Sequence, residues 1–312
     1  SRIGDEYMKY DLTKFNGVFV ALNAIYDEND NINVEEIKKL VKTYISIGVN
    51  GIYACGSTGE GFLLSTEERK QVAKAVVDAS EGKITTIIHV GAASTKEACE
   101  LARHAEEIGA DAVSAVPSVY YRLSEASIET HWKTIIASTD LPFFIYNIPQ
   151  LTGYDLSYSL LERMMKEEKV IGIKDSAEST YQMERFRRIV GDDFIIFNGP
   201  DEQFLAGRLM GANAGIGGTY GSMPELYLKL NSLITENKIV EAKALQVKIN
   251  DFVQRLCSFP SLYGASKAVI KLRYGIEAGI PRLPMLPVSV DDPKLVELVN
   301  DINKAVEEVK NS

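Results

Sequence analysis

The most regular feature of the chain is an alternation of short apolar stretches with longer amphipathic segments, which starts at Gly17. The apolar stretches contain many β-branched residues and are bounded by glycine or aspartate, as strands often are. The amphipathic segments begin with helix-capping residues: Ser65 and Ser94 are each followed by a glutamate three positions later. The alternation predicts eight strands, at residues 17–22, 51–55, 85–90, 112–116, 143–147, 170–174, 194–198 and 214–218.

The predicted strands are apolar at nearly every position, as in FFIYN at 143–147 and VIGIK at 170–174. Such runs are typical of a parallel sheet that is covered on both faces. Eight βα units that close on themselves form an α/β (β/α)8 TIM barrel, which is the predicted fold. The alternative, a doubly wound open sheet, would normally have fewer strands and a glycine fingerprint after the first one.

The strand pattern stops after Tyr220, and helices are predicted at 223–235, 239–258, 263–277 and 293–309. We therefore expect a barrel domain over residues 8–235 and a C-terminal helical extension over residues 236–312. No linker-like composition separates them, so the extension is expected to pack on the barrel or on a neighbouring subunit.

Composition and charge exclude several kinds of protein. The 312 residues are 46% hydrophobic and 25% charged, the balance of a folded globular protein. A formal charge of −9 without any Lys/Arg block argues against nucleic acid or a membrane as a partner. The first twenty residues lack the apolar region of a signal peptide, which predicts a cytoplasmic protein. Cys55, Cys99 and Cys257 have no metal-site spacing and are predicted to be reduced thiols.

Polar residues cluster at the carboxyl ends of the predicted strands, where a TIM barrel has its active-site mouth. In chain order they are Gly56–Glu60, His89, Tyr120–Tyr121, Tyr146–Asn147, Lys174–Asp175, Asn198–Glu202 and Gly217–Thr219. This position nominates them as candidates for a small-molecule site.

Lys174 is the sharpest candidate, because burial at the end of the run VIGI disfavours the ammonium form and favours a nucleophilic amine. The alternatives are a lysine that reaches solvent and one paired with Asp175. Tyr146 on the adjacent strand is a candidate acid/base group, or else a core aromatic. Ser57 and Thr58 lie in a glycine-bounded turn that either binds an anion through its N–H groups or caps the next helix.

Three other kinds of site are disfavoured by the residues present. His89, His104 and His131 are scattered, so no metal site is expected. Asp201 and Glu202 would repel a phosphate in the last barrel loops. The glycines at 215–221 do not match the dinucleotide fingerprint.

Together these motifs resemble the pyruvate-dependent class I aldolases, the family that includes N-acetylneuraminate lyase and dihydrodipicolinate synthase. The resemblance covers nearly the whole chain. GSTGE at 56–60 is similar to the family's carboxylate loop, YNIP at 146–149 to its catalytic tyrosine motif, and GIK at 172–174 to its Schiff-base lysine motif. The stretches HVG at 89–91, DAVSAV at 111–116 and YNIPQLTG at 146–153 look most like the sialic acid lyases.

The resemblance implies retro-aldol cleavage of N-acetylneuraminate to N-acetylmannosamine and pyruvate, through an imine on Lys174 and without a cofactor. It also implies that Tyr146 moves the proton of the C4 hydroxyl, assisted by Ser57 and by Tyr120 from a neighbouring subunit of a homotetramer. The positions that match substrate-binding residues of the family are Ser57, Thr58, Ser176, Gly199, Asp201, Glu202 and Gly218.

The chain departs from the family at several positions that bear on substrate, among them Pro117–Val119 and Thr219–Gly221. Gly218 stands where many sialic acid lyases have a serine, which keeps open an aldolase of 2-keto-3-deoxy sugar acids. Leu151 stands where dihydrodipicolinate synthases have an arginine, which disfavours aspartate semialdehyde as a substrate. A catalytically silent sensor is a further alternative, and the intact Lys, Tyr and Ser/Thr set argues against it.

Overall fold

A closed barrel of eight parallel strands, paired in chain order, forms the centre of the computed structural model, which describes residues 9–312. The strands are β1 Gly17–Ala21, β2 Gly51–Ala54, β3 Thr85–His89, β4 Ala112–Ala115, β5 Phe143–Asn147, β6 Val170–Asp175, β7 Ile195–Asn198 and β8 Ala214–Gly217. All eight predicted strands are confirmed to within one residue at each end, and the open-sheet alternative is wrong. Met8, the predicted start of the barrel domain, lies outside the described residues.

Helices connect the strands and continue beyond the last one. The barrel helices are α1 Val34–Ile47, α2 Thr66–Ser80, α3 Thr95–Glu107, α4 Glu125–Ala137, α5 Pro149–Thr152, α6 Tyr158–Met164, α7 Thr180–Val190, α8 Phe204–Met210 and α9 Pro224–Thr235. The C-terminal extension contains α10 Ile239–Cys257, α11 Leu262–Tyr274 and α12 Pro293–Lys310. Within residues 9–312, no helix combines the length and the apolar character needed to cross a membrane.

The capping residues set the helix ends largely as predicted. Ser65 and Glu68 form a reciprocal capping box at the start of α2. The Ser94 hydroxyl caps α3, but the Glu97 carboxylate accepts from Thr66 instead of closing a second box. Helix α11 ends three residues before its predicted end, because Gly275 adopts the left-handed conformation with φ of 69°.

Two apolar layers hold the barrel together: one lies between strands and helices, and the other fills the interior. In the interior the ring of Phe197 contacts the rings of Phe19 and Phe144, with centroids 4.9 and 5.3 Å apart. Gly172 makes room for Phe144, since a Cβ at Gly172 would lie 2.3 Å from that ring. The interior is therefore a packed core rather than a pore, and polar chemistry is confined to the mouth.

Candidate active site

Lys174 and Tyr146 are cross-strand neighbours on β6 and β5. The Nζ atom of Lys174 lies 4.1 Å from the ring centroid of Tyr146 and 4.1 Å from that of Tyr53. The lysine is only 5% exposed and forms no ion pair with any residue in 9–312. Both alternative interpretations, a solvent-directed lysine and a pair with Asp175, are therefore wrong. The amine stands between two aromatic rings at the base of the mouth.

The next pair along the same two strands, Asn147 and Asp175, points to the outer face of the barrel. The Asn147 side-chain amide donates to Oδ1 of Asp175 at 3.2 Å and to Oδ1 of Asp155 at 3.2 Å. Burial raises the pKa of Asp175 to about 7, although hydrogen bonds from Asn147 and the Ala177 N–H oppose the rise. This outer pair ties β5 to β6 directly behind Tyr146 and Lys174.

Ser57 and Thr58 lie in the turn that follows β2. The turn is closed by hydrogen bonds from the Glu60 N–H to the Ser57 carbonyl and from the Gly61 N–H to the Gly56 carbonyl, both 3.0 Å long. Within the described chain, the N–H groups of Ser57 and Thr58 have no acceptor. Ser57 and Thr58 cap no helix, because the N-cap of α2 is Ser65 and that of the short 3-10 helix Gly61–Leu63 is Glu60, which makes no side-chain cap bond. Two free N–H groups are what a carboxylate needs.

A buried ion pair joins this turn to the C-terminal extension. Nζ of Lys267 in α11 lies 2.7 Å from Oε2 of Glu60, and both side chains are completely buried. The second oxygen of Glu60 accepts from the Arg282 N–H at 2.7 Å. Because Glu60 itself has a left-handed backbone, with φ of 53°, these contacts fix a turn that non-glycine residues rarely adopt. The C-terminal extension thus supports the predicted carboxylate loop.

His89 ends β3 at the mouth, but both nitrogens of its ring are used in structural contacts. Its Nδ1 lies 3.0 Å from the Cys55 carbonyl, and its Nε2 accepts from the Val116 N–H at 3.3 Å. Burial, assisted by the nearby Arg69 guanidinium, lowers the pKa of His89 well below its ordinary value. A neutral imidazole that donates from Nδ1 satisfies both contacts, so His89 links three barrel loops and is not free to accept a proton.

The loops after β7 and β8 meet at Asp201. Its carboxylate accepts from the Thr219 N–H at 2.8 Å and from the Thr219 hydroxyl. Burial raises the pKa of Asp201 to about 6, against the effect of the Thr219 bonds. The second carboxylate oxygen faces Gly217, where a Cβ would lie 2.5 Å from it. Glycine at this position leaves room for that oxygen, because any side chain would collide with it.

Two more predicted substrate positions are paired across loops. A Cβ on Gly199 would lie 2.1 Å from the Ser176 hydroxyl, so these two residues are in direct contact. A Cβ on Gly218 would lie 2.5 Å from the hydroxyl of Thr58, which joins the β8 loop to the carboxylate loop. The structure therefore brings the predicted positions of β2, β6, β7 and β8 to one mouth, and Glu202 is exposed beside them.

Tyr120 is the predicted site residue that the single chain does not bring into this group. It is 93% exposed, adopts a left-handed backbone with φ of 72°, and packs edge-on against Tyr121. Its ring projects from the loop after β4.

Sequence reasoning missed Tyr53, which forms one wall around the Lys174 amine. The Tyr53 hydroxyl donates to Ser114, and its ring packs edge-on against Tyr146 with centroids 5.9 Å apart. Tyr53 lies inside an apolar strand rather than at its end. The signal that could have found it is its place two residues after Gly51, because residues two apart in a strand face the same side, here the barrel interior. In the described part of the chain, no three His, Cys, Asp or Glu side chains form a group able to bind a metal.

Comparison with known proteins gives close relatives over nearly the whole chain. An N-acetylneuraminate lyase of Mediterraneibacter gnavus is 42% identical over 301 residues, which are 96% of this chain and 95% of that protein. The structure of a catalytic lysine mutant of Ruminococcus gnavus sialic acid aldolase has a TM-score of 0.92 at 40% identity, covering 97% of this chain and 99% of that chain.

A second solved structure, of CdNal from Clostridium difficile in complex with mannosamine, has a TM-score of 0.87 at 32% identity. It covers 93% of this chain and 99% of that chain. Residues 14–304 match the sequence pattern of one family throughout. The chain therefore belongs to the dihydrodipicolinate synthetase family.

Proposed function

We propose that this chain is a class I aldolase that cleaves N-acetylneuraminate to N-acetylmannosamine and pyruvate. The observation that carries the proposal is the position of Lys174, a buried amine beside Tyr146 at the mouth of the barrel that pairs with no acid among the described residues. The relatives at 40% identity or more, named as N-acetylneuraminate lyase and sialic acid aldolase, support the choice of substrate.

Lys174 supplies the nucleophile. Its Nζ adds to the C2 ketone of the open-chain substrate, and loss of water leaves a protonated imine. Tyr146 then accepts the proton of the C4 hydroxyl while the C3–C4 bond breaks, and the bonding electrons move to the imine to give an enamine. Protonation of the enamine at C3 and hydrolysis release pyruvate and restore the lysine. Such proton transfer is worth roughly 10² to 10⁴ in rate.

The carboxylate loop orients the substrate for this step. The free N–H groups of Ser57 and Thr58 donate hydrogen bonds to the substrate carboxylate, and the Ser57 hydroxyl assists Tyr146. A local anion site is needed because the net charge of −9 repels anions at long range.

Asp201 and Glu202, together with Ser176, Gly199 and Gly218, bind the hydroxylated tail. Cleavage of N-acetylneuraminate should therefore exceed cleavage of 2-keto-3-deoxygluconate, which is too short to reach both carboxylates. Glu202→Ala should raise KM for the former more than for the latter. Glu297→Ala, which removes an exposed carboxylate on α12, is the matched control. Faster release of pyruvate from the shorter acid, or an equal effect on both substrates, would make the sialic acid assignment wrong.

The active form is a homotetramer in which Tyr120 of one subunit completes the site of another. The support is the ring of Tyr120, which is 93% exposed on a loop of the barrel and away from the Lys174 group of its own chain. Light scattering at assay concentration should give the mass of four chains, and Tyr120→Ala should lower turnover. A fully active monomer would contradict this assembly. The cytoplasmic location stays a prediction from the sequence.

A further inference from the structure

The side chain of Gln246 in α10 reaches the loop that follows β7. Its Nε2 donates to the Asp201 carbonyl at 3.2 Å and to Oδ1 of Asn250 at 2.8 Å, while its Oε1 accepts from the Leu205 N–H at 3.0 Å. The side chain is 6% exposed. Both the nitrogen and the oxygen of the amide are therefore used, and two of the three bonds go to the main chain, one in the loop after β7 and one in the first turn of α8.

Asn250 lies one helical turn further along α10 and makes a parallel contact. Its Nδ2 donates to the Glu202 carbonyl at 3.1 Å. Helix α10 thus holds two consecutive carbonyl groups, those of Asp201 and Glu202, and leaves the side chains of both acids directed elsewhere.

Thr219 also bonds the Asp201 carboxylate, and the Asn198 side chain bonds the Pro200 carbonyl. Within residues 9–312, however, only α10 donates side-chain hydrogen bonds to the Asp201 and Glu202 carbonyls. The loop passes through a single 3-10 turn, Asp201–Gln203, directly into α8, and neither segment has a side-chain cap from its own N-terminal residue. The Leu205 N–H is one of the unpaired donors that a helix start always exposes, and Gln246 supplies its acceptor from outside. Loss of Gln246 would leave a buried donor and a buried acceptor unpaired in the loop itself.

We propose that Gln246 and Asn250 are positioning residues for the two carboxylates that bind the hydroxylated tail of the substrate. The C-terminal extension thereby sets the affinity for long, polyhydroxylated substrates and not the rate of imine formation at Lys174. This inference rests on the proposed function of Asp201 and Glu202.

The test uses Gln246→Met, which keeps the length of the side chain and removes its hydrogen bonds. KM for N-acetylneuraminate should rise about five-fold or more, while KM for 2-keto-3-deoxygluconate and the rate of pyruvate imine formation should stay within about two-fold. Hydrogen exchange of the backbone amides in residues 199–206 should become faster. Ile249→Val is the control, because it removes one buried methyl group from the same helix and keeps both amide side chains.

A second variant covers the case in which Gln246→Met fails to fold. Asn250→Asp keeps the acceptor for Gln246 and replaces the donor to the Glu202 carbonyl by a charged oxygen that cannot donate, at a partly exposed position. It should raise the same KM by about two-fold or more. Unchanged KM in the folded variants, or an equal rise for both substrates, would overturn the inference. If the wild-type protein does not cleave N-acetylneuraminate, the proposed function fails separately, and exchange at 199–206 still decides the positioning role.

Discussion

At the scale of single residues, Asp175 makes the stability of the folded protein depend on pH. Its pKa is about 7 in the folded protein against an ordinary value of 3.8, because burial disfavours the carboxylate. The folded state therefore holds this proton more tightly than the unfolded state does. The resulting contribution to stability is complete below about pH 4 and is lost as the pH rises through 7.

Asp175→Asn removes this titration and keeps an oxygen that can accept from Asn147 and the Ala177 N–H. Relative to the wild type, the variant should gain stability as the pH rises, because its free energy of unfolding should increase by roughly 2 to 3 kcal/mol relative to that of the wild type between pH 5 and pH 8. Urea unfolding at the two pH values measures the difference. A constant difference at both pH values would show that Asp175 does not carry the raised pKa.

At the scale of elements, the ion pair between Glu60 of the β2 loop and Lys267 of α11 joins the extension to the site. Breaking a buried pair by removing one partner leaves an uncompensated charge. Lys267→Met should therefore destabilise the protein by roughly 3 to 5 kcal/mol in denaturant unfolding. The double variant Glu60→Gln/Lys267→Met should recover more than half of that loss. A neutral single variant would mean that the pair does not hold the loop.

The secondary-structure elements could be predicted because their signals are local. An uninterrupted apolar run such as FFIYN, or a serine followed by glutamate three positions later, specifies a strand or a helix start by itself. The same is true of Lys174 and Tyr146, whose place at strand ends was sufficient to nominate them. The end of α11 at Gly275 was missed because the amphipathic pattern continued past the glycine.

Contacts between distant parts of the chain could not be predicted in this way. Lys267 is 207 positions from Glu60, and Gln246 is 45 positions from Asp201. Both are polar residues on amphipathic helices, and nothing in the local pattern separates them from residues that face solvent. Tyr53 could not be singled out either, because an aromatic side chain in an apolar strand is usually part of the core.

At the scale of the whole molecule, the barrel and its extension together position the residues and loops of the mouth. The interior core fixes the floor beneath Lys174, the strands set Lys174 beside Tyr146, and α10 and α11 hold two of the surrounding loops. The proposed reaction at this mouth therefore depends on one group, the amine of Lys174, as the nucleophile.

Reductive trapping tests that role most directly. Incubation with pyruvate and borohydride should add one reduced pyruvoyl group per chain, mapped by mass spectrometry to the Lys174 peptide, with no label on the buried and paired Lys267. Tyr146→Phe should still be labelled although its turnover falls by roughly 10² or more, since only the proton transfer is lost. Labelling at another residue, or unchanged labelling of Lys174→Ala, would contradict the mechanism.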